Sequence, residues 1–163
     1  MAQAQQAIVN NDKNQMRNNA FIDMSNTTRA TVNFSKAQIW NGKVTSKYPN
    51  ISAGSQGNFT QEADSYGSKG GVVYLGKNLA GKDCGWLLAW SAPNLPTSSS
   101  NKVYVKCGPA AEFNNVNWTQ VRANLDLSTD IVNFYDPVTK TAIHANIQQG
   151  ASFASVGASF GAV

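Results

Sequence analysis

The sequence predicts an all-β protein, mainly an antiparallel β-sandwich, with one short helix near 118–126. Three observations predict it. Short β-branched and aromatic runs recur between Gly-, Asn- and Ser-rich turn segments, giving about eight to ten strands. Charged residues make up only 13% of the 163 positions, against about a quarter in a typical domain. Asn, Gln, Ser, Thr and Gly take their place, as a turn-rich β protein requires. A helix start signal stands out at Asn117-Trp118-Thr119-Gln120, with Asn117 as N-cap and Gln120 reaching back. Trp118, Val121 and Leu125 follow at i, i+3 and i+7, one apolar stripe of two to three turns.

The centre of the chain is Gly70–Cys107. Gly71–Leu75 reads as a strand, followed by the turn segment GKNLAGKD. Cys84–Trp90 is almost unbroken apolar, too short to span a membrane, and suits a strand buried on both faces. A Pro- and Ser-rich loop, Ser91–Ser100, leads to Lys102–Cys107, where lysines and Tyr104 alternate with valines. A hairpin centred on that loop sets Trp90 opposite Asn101, Trp86 opposite Val105 and Cys84 opposite Cys107. Trp86, Leu88, Val103 and Val105 then share one face and the lysines the other.

Before the hairpin, residues 1–19 read as a flexible or weakly helical arm, because Ala, Gln and Asn there make no helical stripe. Residues 20–163 form a single domain. Strands are expected at Phe21–Met24, Ala30–Phe34 and Ala37–Trp40, the last ending at the Asn41-Gly42 turn. Ile51–Phe59 carries Gly54 and Gly57, the mark of a bulge or tight bend. After the hairpin, GPAAEFNN is loop. Ile131–Tyr135 and Thr141–Ile147 pair across Asp136-Pro137, and the tail is either a last strand or a loose end. No 20–50-residue period repeats, which excludes a solenoid or propeller.

Composition also excludes functions. The net charge of +4 is spread without a Lys/Arg cluster, so no nucleic-acid partner is expected. The start has no basic residue followed by an apolar run, and no transmembrane segment occurs; a cytoplasmic chain, with peripheral membrane association open to it, is the expectation. Cys84 and Cys107 are either a disulfide or two reduced thiols. With one histidine and no CxxC pattern, neither metal nor cofactor is expected. His144 stands as an exposed strand residue, the nine acidic residues are scattered, and no GxSxG, P-loop or GxGxxG occurs. No enzyme is expected.

Binding fits better. Aromatic side chains beside Gly-, Asn- and Ser-rich loops suit sugar faces or the headgroup zone of a bilayer. Trp40, Tyr48, Tyr66, Tyr74, Trp90 and Trp118 include several such rings, weighed against plain core packing, and Tyr48, Trp90 and Trp118 are the candidates taken from them.

The stretches SKYPNISAGSQGNF, GSKGGVVYLG, CGWLLAWSAP and NKVYVKCGP together resemble the plant 23 kDa jasmonate-induced proteins, over roughly residues 20–147. More distantly, a GVVY strand followed by a strand ending Trp90-Ser91-Ala92-Pro93 is similar to the actinoporins and to nakanori-type fungal proteins. That resemblance implies an actinoporin-like sandwich that binds membrane lipid; fungal fruit-body lectins use the same sandwich for sugars. It adds Ser91 and Pro93 as ligand-binding residues. The chain departs from the actinoporin pattern in having no aromatic in Asn94–Ser100, no tyrosine in the helix, and no long apolar face in residues 1–19. A choline cage and a lytic pore are therefore not expected. Two readings follow: a non-lytic stress-related plant protein binding lipid headgroups or glycans through loops at one end of the sandwich, or a soluble stress or storage-type protein acting through protein–protein contacts.

Overall fold

The computed structural model describes residues 17–95, 99–150 and 153–163. Among these residues ten strands form two sheets: β1 (Asn19–Asn26), β2 (Asn33–Asn41), β3 (Lys43–Val44), β4 (Gln56–Glu62), β5 (Gly67–Lys77), β6 (Asp83–Pro93), β7 (Lys102–Pro109), β8 (Ile131–Asp136), β9 (Thr141–Ile147) and β10 (Phe153–Ala162). The six-stranded sheet runs β3-β4-β1-β10-β9-β8 and the four-stranded sheet β2-β5-β6-β7. All pairings are antiparallel except β1 with β10.

Alternation builds the core between the sheets. β1 turns Ala20, Ile22 and Met24 inward, and β10 turns Ala154, Val156, Ala158 and Phe160 inward. They meet Tyr74, Trp86, Leu88 and Trp90 from the four-stranded sheet. β6 is buried on both faces, as its unbroken apolar run predicts. The outer face is covered by a 3-10 turn (Ala110–Phe113) and the helix α1 (Trp118–Asp126), which close a second cluster over Val73, Leu87 and Ala89. Two glycines let this layer approach: a Cβ on Gly85 would stand 2.4 Å from the Phe113 ring, and one on Gly71 2.9 Å from Trp118. Gly85→Ala should therefore cost about 1–3 kcal/mol by overpacking, read as a lower urea midpoint at unchanged slope; an unaltered midpoint would show that Phe113 moves aside freely.

The helix starts where the capping signal places it. The Asn117 side chain accepts from Gln120 N at 3.1 Å. The reciprocal half of the box is not made, because Gln120 Nε2 donates instead to Asn124 Oδ1.

Several expectations are corrected. The β6–β7 pairing lies two residues from the expected register: Trp90 opposes Val103, Leu88 Val105, Trp86 Cys107 and Cys84 Pro109. Asn101 is not available to the ladder. Its N–H donates to Gln149 Oε1, its Nδ2 to Gln148 O, and its Oδ1 accepts from Asn18, so the strand begins at Lys102. An even shift leaves every side chain on its expected face, but it separates the cysteines. Cys84 and Cys107 are free and buried; their thiols donate to Lys82 O and Phe134 O, and burial pushes both pKa values up.

Ala30–Phe34 and Ala37–Trp40 merge into the single strand β2, with register breaks at Phe34/Lys36 and Ile39/Asn41. In 51–59 only Ile51 makes an isolated bridge, to Val32; Gly54, at φ +72, turns the chain and the ladder starts at Gln56. The segment GPAAEFNN, expected as loop, extends β7 and then makes the 3-10 turn. The tail is a strand with partners on both sides. Of the expected N-terminal arm, residues 1–16 lie outside the described residues; Asn18 is buried and Asn19 already begins β1.

Candidate functional site

One end of the sandwich is organised by a buried amide network. Asn18 N donates to Asn94 Oδ1 at 2.9 Å, and Asn18 Nδ2 donates to Pro93 O and Asn101 Oδ1. Ser68 Oγ donates to Asn18 O and Gln61 O. These contacts tie the start of β1 and of β5 to the base of the loop after β6, so the loop's root is rigid. Ser99 and Ser100 above it are exposed.

Next to this anchor the chain turns from β4 into β5 through Asp64. Its Oδ1 accepts from Tyr66 N and Gly67 N, and its Oδ2 from Gly42 N and Asn41 Nδ2. Slight burial pushes the carboxyl pKa up, but these hydrogen bonds to the ionised form outweigh it and hold it below the usual value. Gly67 sits at φ +135, where a side chain would also meet Ala92 O. The tight turn leaves the Tyr66 ring 74% exposed.

Tyr66, Ser68 and Lys69 from β5 and its turn, Ser91 and Pro93 from β6, Lys102 from β7 and Asp126 from the end of α1 enclose a cleft of about 220 Å³. Lys69 Nζ lies 2.5 Å from Asp126 Oδ1, and Lys102 Nζ donates to Asp126 O at 2.8 Å. Two ammonium groups, one carboxylate, serine hydroxyls and an uncovered phenol thus converge on one floor. The cleft can receive a group carrying both charge signs, or a polyol, with donors and acceptors on all sides.

Of the residues predicted for the site, Ser91 and Pro93 line this cleft. The other three do not. Trp90 is 1% exposed and lies in the core, edge-on to Phe59 at 5.6 Å. Tyr48 is half-buried, stacked on Phe34 at 4.4 Å and edge-on to Phe59; desolvation pushes its phenol pKa up. Trp118 packs against Trp40 at the far end of α1, some eight residues or about 12 Å along the helix from Asp126. Tyr66 is one of the loop-side aromatics the sequence offers but not one of the site residues chosen from it, and Lys69, Lys102 and Asp126 were missed; Gly67 is the nearby signal of a tight turn.

His144, the sole imidazole, is exposed and its Nδ1 lies 2.5 Å from Asn133 Oδ1. Among the described residues, no group of three His, Cys, Asp or Glu side chains could hold a metal ion. No helix among them is long and apolar enough to cross a membrane.

The sequence is 40% identical over 151 residues to the jasmonate-induced protein homolog of Atriplex canescens, covering 90% of this chain and 82% of that one. The chain belongs to the jasmonate-induced protein family. The 23 kDa jasmonate-induced protein of Hordeum vulgare is 30% identical over 131 residues, 77% of this chain and 61% of the barley protein, so the chain spans under two thirds of that relative. No protein-family model matches. Among solved structures, the family member superposes on the lipid binding protein Nakanori with a TM-score of 0.74 at 15% identity, covering 98% of this chain and 78% of that one. It superposes on Xerocomus chrysenteron lectin XCL with a TM-score of 0.56 at 12% identity, covering 88% and 98%. At these identities the likeness is one of fold, the actinoporin-like sandwich.

Proposed function

We propose that this family member is a non-catalytic, non-lytic, stress-related plant protein that binds a polar headgroup, of a membrane lipid or a glycan, in the cleft beneath the loop after β6. The observation that carries this reading is the convergence of Lys69, Lys102, Asp126 and Tyr66 on a floor fixed by buried amides. A phosphate or other anionic group sits between the two ammonium groups, with Ser91 as a hydroxyl partner. A cationic or hydroxyl-bearing end lies against Asp126 and the exposed ring of Tyr66. Nakanori, of the same fold, is a lipid-binding protein and XCL a lectin, which supports the two ligand classes named. The protein acts at the membrane surface as a cytoplasmic, peripheral component, without inserting.

Flotation with vesicles of zwitterionic and anionic lipid, run beside a glycan array, tests this. Tyr66→Ala and the pair Lys69→Met/Lys102→Met should each weaken retention about tenfold, a loss of roughly 1.4 kcal/mol. Trp118→Ala should leave retention unchanged. Raised salt should weaken it, since the cleft is open to solvent. Absence of binding across both panels, with a self-associated species in size exclusion, would favour action through protein contacts instead.

A further inference from the structure

The outer face of the six-stranded sheet carries a second concavity, of about 560 Å³, within the roughly 300–1,000 Å³ typical of small-ligand sites. Two neighbouring rows of the sheet build it. In one row Tyr135 pairs with Ala142 and Ala142 with Gly161, beside Thr27. Behind Tyr135 the side chains therefore shrink to a methyl and a hydrogen, and its ring, half exposed, borders an open shelf. In the adjacent row Asn133, His144, Ser159 and Ser25 stand side by side and point outward, a ladder of hydrogen-bonding side chains. None of the side chains that line the shelf is a carboxylate, an ammonium or a guanidinium.

The floor is held from beneath. Trp86, fully buried, donates its indole N–H to Ala142 O and Gly161 O at 3.2 and 3.3 Å. The same contact locates the shelf at the Trp86 end of β6. Ser91 in the charged cleft is five residues further along that strand, about 17 Å away at the usual rise. The two sites lie on different faces and differ in chemistry, one lined by charged side chains of both signs and the other by none.

We propose that this shelf is a second ligand site, taking a neutral saccharide. The apolar face of a pyranose lies on Ala142 and Gly161 against the Tyr135 ring, and its hydroxyls bond Asn133, His144 and Ser159. A purely apolar occupant would desolvate the groups of Asn133, His144 and Ser159 that the single Asn133–His144 hydrogen bond leaves open, at a cost for each. A charged occupant would find no side-chain counter-ion in the lining.

The test is titration of the ¹⁵N-labelled chain with glucose, galactose, N-acetylglucosamine and lactose, reading amide shifts. At least one sugar should move Tyr135, Ala142 and Gly161 together and leave Tyr66 and Lys69 still. Tyr135→Ala should weaken it by about tenfold or more, while Tyr135→Phe, which keeps the ring, stays within about twofold. Ala142→Leu, which fills the shelf without touching the core, should abolish the shifts. Lys69→Met should not change them, which separates this site from the headgroup cleft. The proposal is overturned if none of the four sugars shifts these amides, if shifts gather at the cleft instead, or if Ala142→Leu changes the oligomeric state rather than sugar binding.

Discussion

Removal of residues 153–163 should abolish cooperative folding altogether. β10 is not an appendage but an interior strand of the larger sheet, paired over eight positions with β1 and seven with β9. Without it the sheet divides into β3-β4-β1 and β9-β8. Ala154, Val156, Ala158 and Phe160 leave the core with it, and Phe160 alone packs on both Tyr74 and Trp86. Truncating one buried Phe costs about 3–5 kcal/mol, and a whole domain holds only about 5–15 kcal/mol. Two new sheet edges would also be left to pair with other chains. The expected product is insoluble, or soluble with collapsed amide dispersion and no near-UV signal. A truncated chain that melts in one sharp transition would contradict the central placement of this strand.

That strand marks where the sequence stops being informative. ASFASVGASFGAV alternates, but with Ala, Gly and Ser it has weak strand propensity, and nothing local says that it enters the sheet parallel to β1, more than a hundred residues earlier. Small side chains suit it because both of its neighbours are close and the opposing sheet contributes Trp86 and Tyr74. The central hairpin was legible because every local signal agreed there: β-branched composition, an unbroken apolar run and turn residues at its ends. Its register was not, since the pairing is set by Asn101 leaving the ladder to bond Gln148 and Gln149, a contact across 47–48 residues. The helix was legible to the residue because its cap and stripe are both local.

The residues of the candidate cleft were legible only in part. Ser91 and Pro93 came from resemblance to a family motif, whereas Lys69, Lys102 and Asp126 are brought together by three separate elements. Aromatic character misled in a physical way. Trp and Tyr are amphipathic, so composition alone does not separate a ring offered to a ligand from one closing a core. Here the ring left outside is Tyr66, on a glycine-bounded turn, and the tryptophan at the strand end is inside.

Trp90→Ala should accordingly act on stability, lowering it by about 3–5 kcal/mol, and on binding only through unfolding. The indole is 1% exposed, sits edge-on to Phe59, and lies over Gly70, whose added Cβ would come within 3.0 Å of it. Among the described residues its Nε1 has no hydrogen-bond partner, and a buried unsatisfied donor costs about 1–3 kcal/mol. Trp90→Phe therefore removes a penalty together with the lost volume, so the two changes oppose each other. Trp86→Phe has no such relief, because it discards the donor that adds a bond to Ala142 O and Gly161 O beneath the paired β9–β10 ladder. Urea unfolding should rank the Phe variants with Trp86→Phe clearly the less stable and Trp90→Phe near the parent. Vesicle or glycan retention by folded Trp90→Phe should match the parent, since the ring lies in the core. A folded Trp90→Phe that no longer binds would return this tryptophan to the site and show that the end of β6 opens in solution.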